Sequence, residues 1–513
     1  MNDNLLSIIL FTPLAGMFVL LFIPSAQRTL VKLWANLTAI AGFAVSIPLA
    51  LNFDASNGGY QFAEKAEWIP LLGVNYHLAV DGISMLLVML TTLTGMIAVL
   101  SSWTAVEDRI KSYYAMLLLL QTGMLGVFVS LDFFLFYVFW EVVLVPMYFL
   151  IGVWGGPRKL YAAIKFFLYT LAGSVLMLLG ILTLYFQHYQ QFGFYTFEIA
   201  ELMKLNMPLH LEQWVFWAFF FGFAIKVPMF PFHTWLPDAH TEAPTAGSVI
   251  LAAVLLKMGT YGFIRFSLPL LPKASIDASV VQIVVALSII GILYGALVCL
   301  MQNDWKKLVA YSSVSHLGFC TLGIFSLNPN GIAGSVIQQI NHGISTGMLF
   351  LIVGVAYERR HTRDIKEYGG LAHVMPHFAK VFAFALLSSA GMPLLNGFVG
   401  EFTILQGAFE ANPVWAALAV PGVVLGAAYL LWLYQRTILG QVTVSSNLHL
   451  KDLNLREWLV FAPLIAWALW IGVYPKPYFE ILQKPVAQLV ERVKPGYGGG
   501  APVQAVLPRK EAR

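Results

Sequence analysis

The sequence predicts an all-α polytopic membrane protein with about fourteen transmembrane helices, of which the seventh and twelfth are broken, built from two inverted five-helix repeats. Composition is the first observation: 59% of the 513 residues are hydrophobic, 11% are charged, and the mean hydropathy is +0.75. A soluble domain carries about 25% charged residues, so the chain is predicted to be an integral membrane protein. The other two observations are long apolar stretches along the whole chain and proline- and glycine-rich interruptions in two of them.

Each apolar stretch is long enough for one span, which needs about 20 residues. The first stretch follows a single charged residue, Asp3, and lacks a basic segment, so we interpret it as a retained helix and not as a cleaved signal. The predicted spans lie near residues 5–23, 31–52, 78–103, 112–130, 132–154, 161–187, 213–238, 246–268, 278–300, 308–327, 332–357, 378–410, 414–439 and 457–474.

The two broken spans define the predicted repeats. The seventh reads FGFAIKVPMFPFHTWLPDAH and the twelfth reads ALLSSAGMPLLNGFVGEF. Broken backbone at membrane depth is tolerated only where protein or water satisfies it, and transporters place ion sites at such breaks. The breaks are five spans apart, and an odd number of spans per repeat inverts the second copy. We therefore predict repeats at about 112–268 and 278–439; two unrelated proline kinks are the alternative.

The domain organisation is simple. Residues 1–475 are predicted to form one transmembrane domain, and no polar connection is long enough for a second, soluble domain. Residues 476–513 are predicted to form an amphipathic segment, on the membrane surface or against a partner, followed by a flexible glycine-rich tail.

Basic residues are distributed unevenly between alternate loops. One set of loops contains most of the lysines and arginines, and the other contains Lys65, Lys204 and Lys273. The positive-inside rule places the first set in the cytoplasm and both termini on the periplasmic side. Arg492 and Lys494 in the C-terminal segment depart from that rule.

Few kinds of chemistry fit the motifs of the chain. Its two cysteines, Cys299 and Cys320, form no CxxC motif, which excludes cysteine-ligated iron–sulfur clusters within it. It contains no Walker motif, and no GxGxxG motif follows a strand. We expect no metal and no bound cofactor in this chain, and no nucleic acid as a partner.

Buried titratable residues point to the movement of protons or cations. Glu141, Lys226, Lys257 and Glu401 lie within apolar stretches. A charged side chain at the bilayer centre costs roughly 2.5–3.5 kcal/mol on insertion scales, so such residues are usually functional. A lysine beside a glutamate allows both to stay charged, and we expect Lys226 to pair with Glu141. The alternatives are a protonated structural glutamate and a snorkelling lysine.

Histidines at or near membrane depth are predicted to relay protons. They are His233, His240, His316 and His342. Polar packing is the alternative for any one of them, and a bis-histidine haem site at His316 and His342 is a weaker one.

Other polar residues are interpreted as lying near the membrane surface. They are Lys165, Arg265 and Lys380, with Lys165 as a candidate second partner for buried groups. His373 and His377 have the spacing of a metal site, but a solvated helix start is favoured.

One long motif and three shorter ones resemble a known family. KVPMFPFHTWLPDAHTEAPTAGSVILAAVLLKMGTYGFIR, LAVDGIS, YSSVSHLG and NHGISTGMLFLIVG are similar to segments of the antiporter-like membrane subunits of respiratory complex I, NADH:quinone oxidoreductase. The resemblance spans about residues 75–475. Relatives commonly carry a lysine in the broken twelfth span, whereas this chain carries Glu401, which places it in the glutamate branch of the family.

The resemblance implies a function and roles for particular residues. It implies proton translocation in the bacterial inner membrane, through Glu141, Lys226, Lys257 and Glu401, with His233, His316 and His342 as relays. It implies other complex I membrane subunits as partners, neighbouring antiporter-like subunits among them, and contact with membrane lipids. FMN, iron–sulfur clusters and quinone are expected in partner subunits.

The sequence is also compatible with two other functions, a subunit of a related ion-translocating complex and a structural spacer. The same family includes subunits of multisubunit Na⁺/H⁺ antiporters and of membrane-bound hydrogenases. A purely structural membrane spacer is the third interpretation, and it predicts that substitutions of the buried charges leave activity intact.

Overall fold

The fold is a bundle of α-helices with one β-hairpin, and the computed structural model describes residues 4–497 of the chain. The helices are α1 (Leu5–Phe22), α2 (Arg28–Leu51), α3 (Gly82–Ser101), α4 (Ile110–Val129), α5 (Phe133–Val142), α6 (Leu144–Trp154), α7 (Lys159–Phe192), α8 (Ile199–Leu202), α9 (Leu209–Lys226), α10 (Trp235–Glu242), α11 (Thr245–Ile250), α12 (Leu256–Gly262), α13 (Leu268–Leu270), α14 (Pro272–Ile276), α15 (Ala278–Leu300), α16 (Trp305–Phe325), α17 (Pro329–Arg360), α18 (Leu371–Val374), α19 (Pro376–Ser389), α20 (Asn396–Ala411), α21 (Pro413–Thr437), α22 (Leu455–Val473) and α23 (Lys476–Val493). The strands are β1 (Gln61–Ile69) and β2 (Val74–Val80). π-Helical turns at Leu251–Leu255 and Phe263–Ser267 join α11, α12 and α13 into one span.

Twelve helical segments of the described chain are long and apolar enough to cross a membrane. They correspond to all the predicted spans except the seventh and the twelfth, which are divided. Helix α9 stops at Lys226, and α19 and α20 have only 14 and 16 residues. The chain is thus a multi-pass helical membrane protein, and the total of fourteen spans stays a prediction.

Polar residues just before several spans fix where the helices begin. Asp81 precedes α3 and accepts hydrogen bonds from the backbone N–H groups of Ile83 and Ser84 at 3.1 and 3.0 Å. Asp132, Asp277, Asp304, Asn328, Asn412 and Asn454 cap α5, α15, α16, α17, α21 and α22 in the same way. A side-chain oxygen at this position satisfies backbone donors that the first turn leaves free.

The two breaks have their polar backbone satisfied inside the protein. In the first, the indole N–H of Trp235 donates to the carbonyl of Ile225 at 2.9 Å. In the second, the amide of Asn341 donates to the carbonyl of Asn396 at 2.6 Å. Each bond satisfies a backbone carbonyl that would find no water partner in the hydrocarbon of the membrane.

Helices α16, α17 and α20 pack tightly because of small residues. A Cβ added to Gly334 would lie 2.8 Å from the backbone nitrogen of Ile404, and one added to Gly323 would lie 2.6 Å from the carbonyl oxygen of Gly331. Small residues allow membrane helices to approach this closely. The broken helix α20 is therefore held directly against the polar middle of α17.

The polar connection at 53–77 contains secondary structure that the sequence did not predict. β1 and β2 form an antiparallel hairpin with Glu64 opposite Leu78 and Ala66 opposite Tyr76. The third span begins at Gly82 instead of residue 78, because β2 continues to Val80 and Asp81 caps the helix.

Glu198 ties this hairpin to the loop after α7. Its carboxylate lies 2.7 Å from Nδ1 of His77 and 2.9 Å from Nζ of Lys65. Burial opposes ionisation of Glu198, but the hydrogen bonds from His77 and Lys65 outweigh it, so the pKa of Glu198 is lowered.

We expect Glu198→Gln to loosen the hairpin. Because the pKa of Glu198 is lowered in the folded chain, its stabilisation is present above the unfolded glutamate pKa of about 4.3 and is lost as pH falls through the folded pKa. Lys65 is half exposed, which reduces the effect, and amide hydrogen exchange in residues 61–80 should rise roughly fivefold at pH 7. Glu67→Gln, on the exposed side of β1, is the control; an equal rise there would contradict this role.

The C-terminal amphipathic segment packs on its own chain. Helix α23 continues through Pro485 and lies against α3, α13, α14 and α17, with Leu482, Val486 and Val490 buried. Arg492 donates to the carbonyl of Pro269 at 2.6 Å. The apolar face of α23 is thus covered by the chain itself, and the placement of the segment on the membrane surface or against a partner stays a prediction. The predicted flexible tail beyond Tyr497 lies outside the described residues.

Candidate functional site

Glu401 on α20 is buried and contacts a histidine across the helix interface. Its Oε1 lies 2.8 Å from Nδ1 of His316 on α16, and the side-chain amide of Gln338 on α17 donates to the same oxygen at 3.0 Å. Gly391, whose φ of +75° suits glycine, lets the second break pass over the carboxylate: a Cβ there would lie 3.1 Å from Oε2. The break is therefore what makes room for the acid.

Lys257 is fully buried in the middle of the span that contains α12. Its Nζ lies 2.6 Å from Nδ1 of His342 on α17 and also donates to the carbonyl of Ala252. Since an ammonium group only donates, His342 accepts through Nδ1 whenever Lys257 is charged. Proton exchange between lysine and imidazole is possible at this distance.

The two contacts join into one line through the protein. The rings of His342 and His316 have their centroids 6.0 Å apart. Lys257, His342, His316 and Glu401 thus follow one another across four helices, and we call them the polar axis. The structure brings together four of the seven residues that the sequence singled out.

Several polar residues beside the axis were missed by the sequence reasoning. Thr260 donates to Gln339 at 2.8 Å, and the hydroxyl of Tyr429 lies 3.3 Å from Nε2 of His316. Gln338, Gln339 and Asn341 could have been noticed, because three amides in QQIN stand in the middle of a span. No local pattern marks Tyr429, whose role depends on the approach of α21.

Lys226 ends α9 at the first break and is buried with its charge uncompensated by a direct contact. Its Nζ has no hydrogen-bond partner and lies 5.1 Å from the ring centroid of Trp140 and 6.0 Å from that of Phe166. Aromatic faces attract a cation at such distances.

The expected direct pair of Lys226 and Glu141 is not formed. Their charges act on each other, but no ion pair within 4.0 Å joins them in the described chain, and Oε1 of Glu141 is buried without a partner. Glu141 is partly exposed at the end of α5, and the hydroxyl of Tyr137 interacts with it. The ring of Trp140, the residue before Glu141, lies 5.1 Å from Nζ of Lys226.

Packing connects the first break to the span of Lys257. A Cβ on Gly259 would lie 2.7 Å from the carbonyl oxygen of Phe223 and 3.0 Å from the nitrogen of Val227. The end of α9 therefore lies directly against α12. The contact joins Val227, the residue after Lys226, to Gly259, which follows Lys257 by two residues.

The other two histidines differ in their surroundings. His233 is buried beside aromatic rings, 5.1 Å from Tyr294, and contacts no member of the polar axis. His240 is fully buried with both ring nitrogens unpartnered, stacks on Phe350 at 4.4 Å, and lies within electrostatic reach of Lys257 and Lys306. His240 therefore interacts electrostatically with one axis residue, Lys257, whereas His233 contacts none.

The charged residues that were predicted to lie near the membrane surface differ in burial and in their partners. Lys165 pairs with Asp238 at 2.8 Å, and Lys380 is exposed. Arg265, expected near the membrane surface, is buried and pairs with Asp81 at 2.7 Å. Within residues 4–497, no group of three or more His, Cys, Asp or Glu side chains is arranged to hold a metal ion.

The arrangement can pass protons. Lysine, histidine and carboxylate side chains all exchange protons, and such chains inside a membrane mark ion pathways. Helices α16 and α17, which carry His316 and His342, pack directly on each other, which does not fit the haem alternative.

Comparisons with known proteins agree on one family. Residues 130–426 match the family model described as "NADH:quinone oxidoreductase/Mrp antiporter, TM". NADH-quinone oxidoreductase subunit M of Rhodobacter capsulatus is 47% identical over 508 residues, covering 95% of this chain and 97% of that protein. NADH-ubiquinone oxidoreductase chain 4 of Arabidopsis thaliana is 44% identical over 490 residues, with 95% and 97% covered.

A solved structure of a related complex has the same fold. A chain in the structure of respiratory complex I from Thermus thermophilus with bound NADH superposes with a TM-score of 0.87 at 32% identity, covering 95% of this chain and 99% of that one. The described fold, the motif match and the near-complete coverage together show that the chain belongs to the family of membrane subunits of NADH:quinone oxidoreductases and Mrp antiporters.

Proposed function

We propose that this chain is the M-type, proton-translocating membrane subunit of an NADH:quinone oxidoreductase. The observation that supports it best is the buried polar axis, in which Lys257 contacts His342 at 2.6 Å and His316 contacts Glu401 at 2.8 Å. Relatives named as subunit M match this chain over almost its whole length.

The proposed route starts at Lys226. This lysine exchanges a proton under the control of the Glu141 charge and passes it by way of Lys257, His342 and His316 to Glu401. Doubling the separation of a lysine and a glutamate from about 4 to 8 Å, at an effective dielectric of about 20, weakens their attraction by about 2 kcal/mol. That is about a thirtyfold change in proton affinity. A small movement of α5 relative to α9 would therefore load or unload the lysine.

His233 belongs to the proposed relay only in a weaker sense. It lies in the first break, seven residues beyond Lys226, and its Nδ1 has no partner. We propose that it serves the supply of protons to the first half of the protein.

The membrane arrangement completes the proposal. Fourteen helices would form two inverted repeats, at about 112–268 and 278–439, each with one break. The chain would lie in the bacterial inner membrane with both termini on the periplasmic side. FMN, iron–sulfur clusters and quinone would belong to partner subunits, and neighbouring antiporter-like subunits and membrane lipids would surround this one.

Co-purification tests this assignment. The tagged chain, extracted in mild detergent and analysed by mass spectrometry, should bring with it the NADH-oxidising and iron–sulfur subunits of an NADH:quinone oxidoreductase. The family also includes Mrp antiporters. Recovery of small antiporter subunits and no NADH-oxidising subunit would favour a cation/proton antiporter instead.

Glu401→Gln should impair proton translocation on the order of tenfold while the complex still assembles, because glutamine keeps the contact with His316 but binds no proton. The measurement is NADH-driven acidification in vesicles, normalised to NADH oxidation. Glu410→Gln, an exposed acid at the end of α20, is the matched control. Equal pumping by Glu401→Gln and wild type would remove Glu401 from the route.

A further inference from the structure

We infer that Arg265 is an electrostatic seal, which prevents protons on Lys257 from leaking into a cavity at the face of the protein that carries α23. The inference depends on the proposed function, since a seal matters only where protons are held. It concerns a buried charged cluster that the proposed route does not use.

The guanidinium of Arg265 is fixed by three partners. NH2 lies 2.7 Å from Oδ1 of Asp81, NH1 donates to the hydroxyl of Tyr60 at 3.0 Å, and Nε donates to the hydroxyl of Tyr261 at 3.1 Å. The Arg265 and Asp81 side chains are 9% and 7% exposed, so neither ion can swing into solvent. The rings of Tyr60 and Tyr261 also lie near the guanidinium, each with its centroid 5.3 Å away.

A cavity of about 290 Å³ is lined by members of this cluster, and Lys257 is not among its lining residues. Tyr60, His77, Asp81, Arg265 and Arg492 are among its lining residues, together with part of α23. A water molecule occupies about 30 Å³ of liquid, so the cavity has room for several. Asp81 and His77 are proton acceptors among its lining residues.

Lys257, Tyr261 and Arg265 stand at positions i, i+4 and i+8 of one span. Such residues lie on successive turns of the same helix face, and eight residues correspond to a rise of about 12 Å. The π-helical turn at Phe263–Ser267 contains Arg265, and turns of this kind are frequent at functional sites. The span therefore points a row of polar side chains from the polar axis towards the cavity.

Arg265 interrupts that row chemically. A tyrosine hydroxyl and a carboxylate both accept protons, so Tyr261 and Asp81 in contact would continue a proton path. A guanidinium donates hydrogen bonds, accepts none and keeps its charge at all relevant pH values. Placed between Tyr261 and Asp81, it removes the acceptor and repels an approaching proton, as arginines do in pores that exclude protons.

The competing interpretation is structural: the ion pair would only hold the start of α3 against the eighth span. The two roles separate because Asp81 can be changed while the positive charge stays. Asparagine caps a helix as well as aspartate does, so Asp81→Asn keeps the cap of α3 and the charge of Arg265. Arg265→Gln removes the charge, and the double variant D81N/R265Q removes it without leaving a lone buried carboxylate.

The test measures passive proton leakage through the complete complex in proteoliposomes. A pH gradient is imposed without NADH, and its decay is followed with a pH-sensitive dye inside the vesicles. A unit charge about 12 Å away at an effective dielectric of about 20 changes the rate of proton passage by about tenfold. We expect Arg265→Gln, which leaves the Asp81 charge unpaired, to leak about tenfold faster than wild type. D81N/R265Q removes both charges and should leak faster than wild type by a smaller factor, and Asp81→Asn, which keeps the positive charge, should stay tight.

Three results would overturn the seal. In the first, the two glutamine variants assemble and leak no faster than wild type. In the second, Asp81→Asn leaks as fast as Arg265→Gln. In the third, neither glutamine variant assembles, which would assign the ion pair a structural role. The leak is measured without turnover, whereas the proposed function is judged by NADH-driven pumping of the wild-type complex. Failure of one is therefore distinguishable from failure of the other.

Discussion

Replacing Lys226 with alanine or methionine should lower NADH-driven proton translocation at least tenfold, while the complex assembles and NADH oxidation in detergent continues. The ammonium is buried at the end of α9, where it lies near aromatic rings and has no hydrogen-bond partner. Neither replacement binds a proton, so the first half of the protein loses the group that takes it up. Positioned acids and bases typically contribute 10²–10⁴-fold to a proton-transfer step.

The matched control is Lys380→Ala, which removes an exposed lysine from α19 and should leave translocation unchanged. The measurement is the ratio of protons moved to NADH oxidised in proteoliposomes, with assembly checked by native electrophoresis. Normal pumping by an assembled Lys226→Met complex would exclude this lysine from the route. Methionine preserves the volume and apolar contacts of the stem, so lost pumping in that variant reports the missing charge and not a cavity.

The sequence predicted the helical membrane fold because apolar length and Pro/Gly breaks are local signals. Lys226, Lys257 and Glu401 were recognisable for the same reason: a charge inside an apolar run is costly wherever the run is placed. The β-hairpin was missed because its first strand is mostly exposed and carries little hydrophobic alternation. Nothing in the connection at 53–77 shows that Glu198, in the loop after α7, binds it.

Contacts between distant residues were less predictable. The contact of His342 with Lys257 depends on the close approach of α17 to the span that contains α12, and the contact of His316 with Glu401 depends on the close approach of α16 to α20. Glycines such as Gly343 and Gly323 permit these approaches. The pairing of Lys226 with Glu141 was expected from charge alone, but Nζ of Lys226 lies near the rings of Trp140 and Phe166 and forms no ion pair with Glu141 within the described residues. The contacts of Arg265 were not predictable because its partners Asp81 and Tyr60 come from segments more than 180 residues earlier.

A double-mutant cycle on Lys257 and His342 tests whether the polar axis works as one relay. Lys257→Met and His342→Gln should each reduce proton translocation by about tenfold or more, because each breaks the 2.6 Å contact and removes a proton carrier. If both residues serve the same step, the double variant should be no worse than the more damaging single one, since residues that act as a unit are not additive. Independent effects that multiply would show that protons reach Glu401 by two routes.

The same cycle with His233 provides the contrast. His233 contacts no axis residue. If His233 acts in a separate supply step, the effects of His233→Gln and Lys257→Met on translocation should multiply in the double variant. If it acts through Lys257 alone, His233→Gln should add no loss to that of Lys257→Met. Proton-to-NADH ratios for the four complexes decide between these outcomes. A His342→Gln complex that pumps like wild type would break the polar axis at its centre, because His342 contacts Lys257 at 2.6 Å and its ring centroid lies 6.0 Å from that of His316.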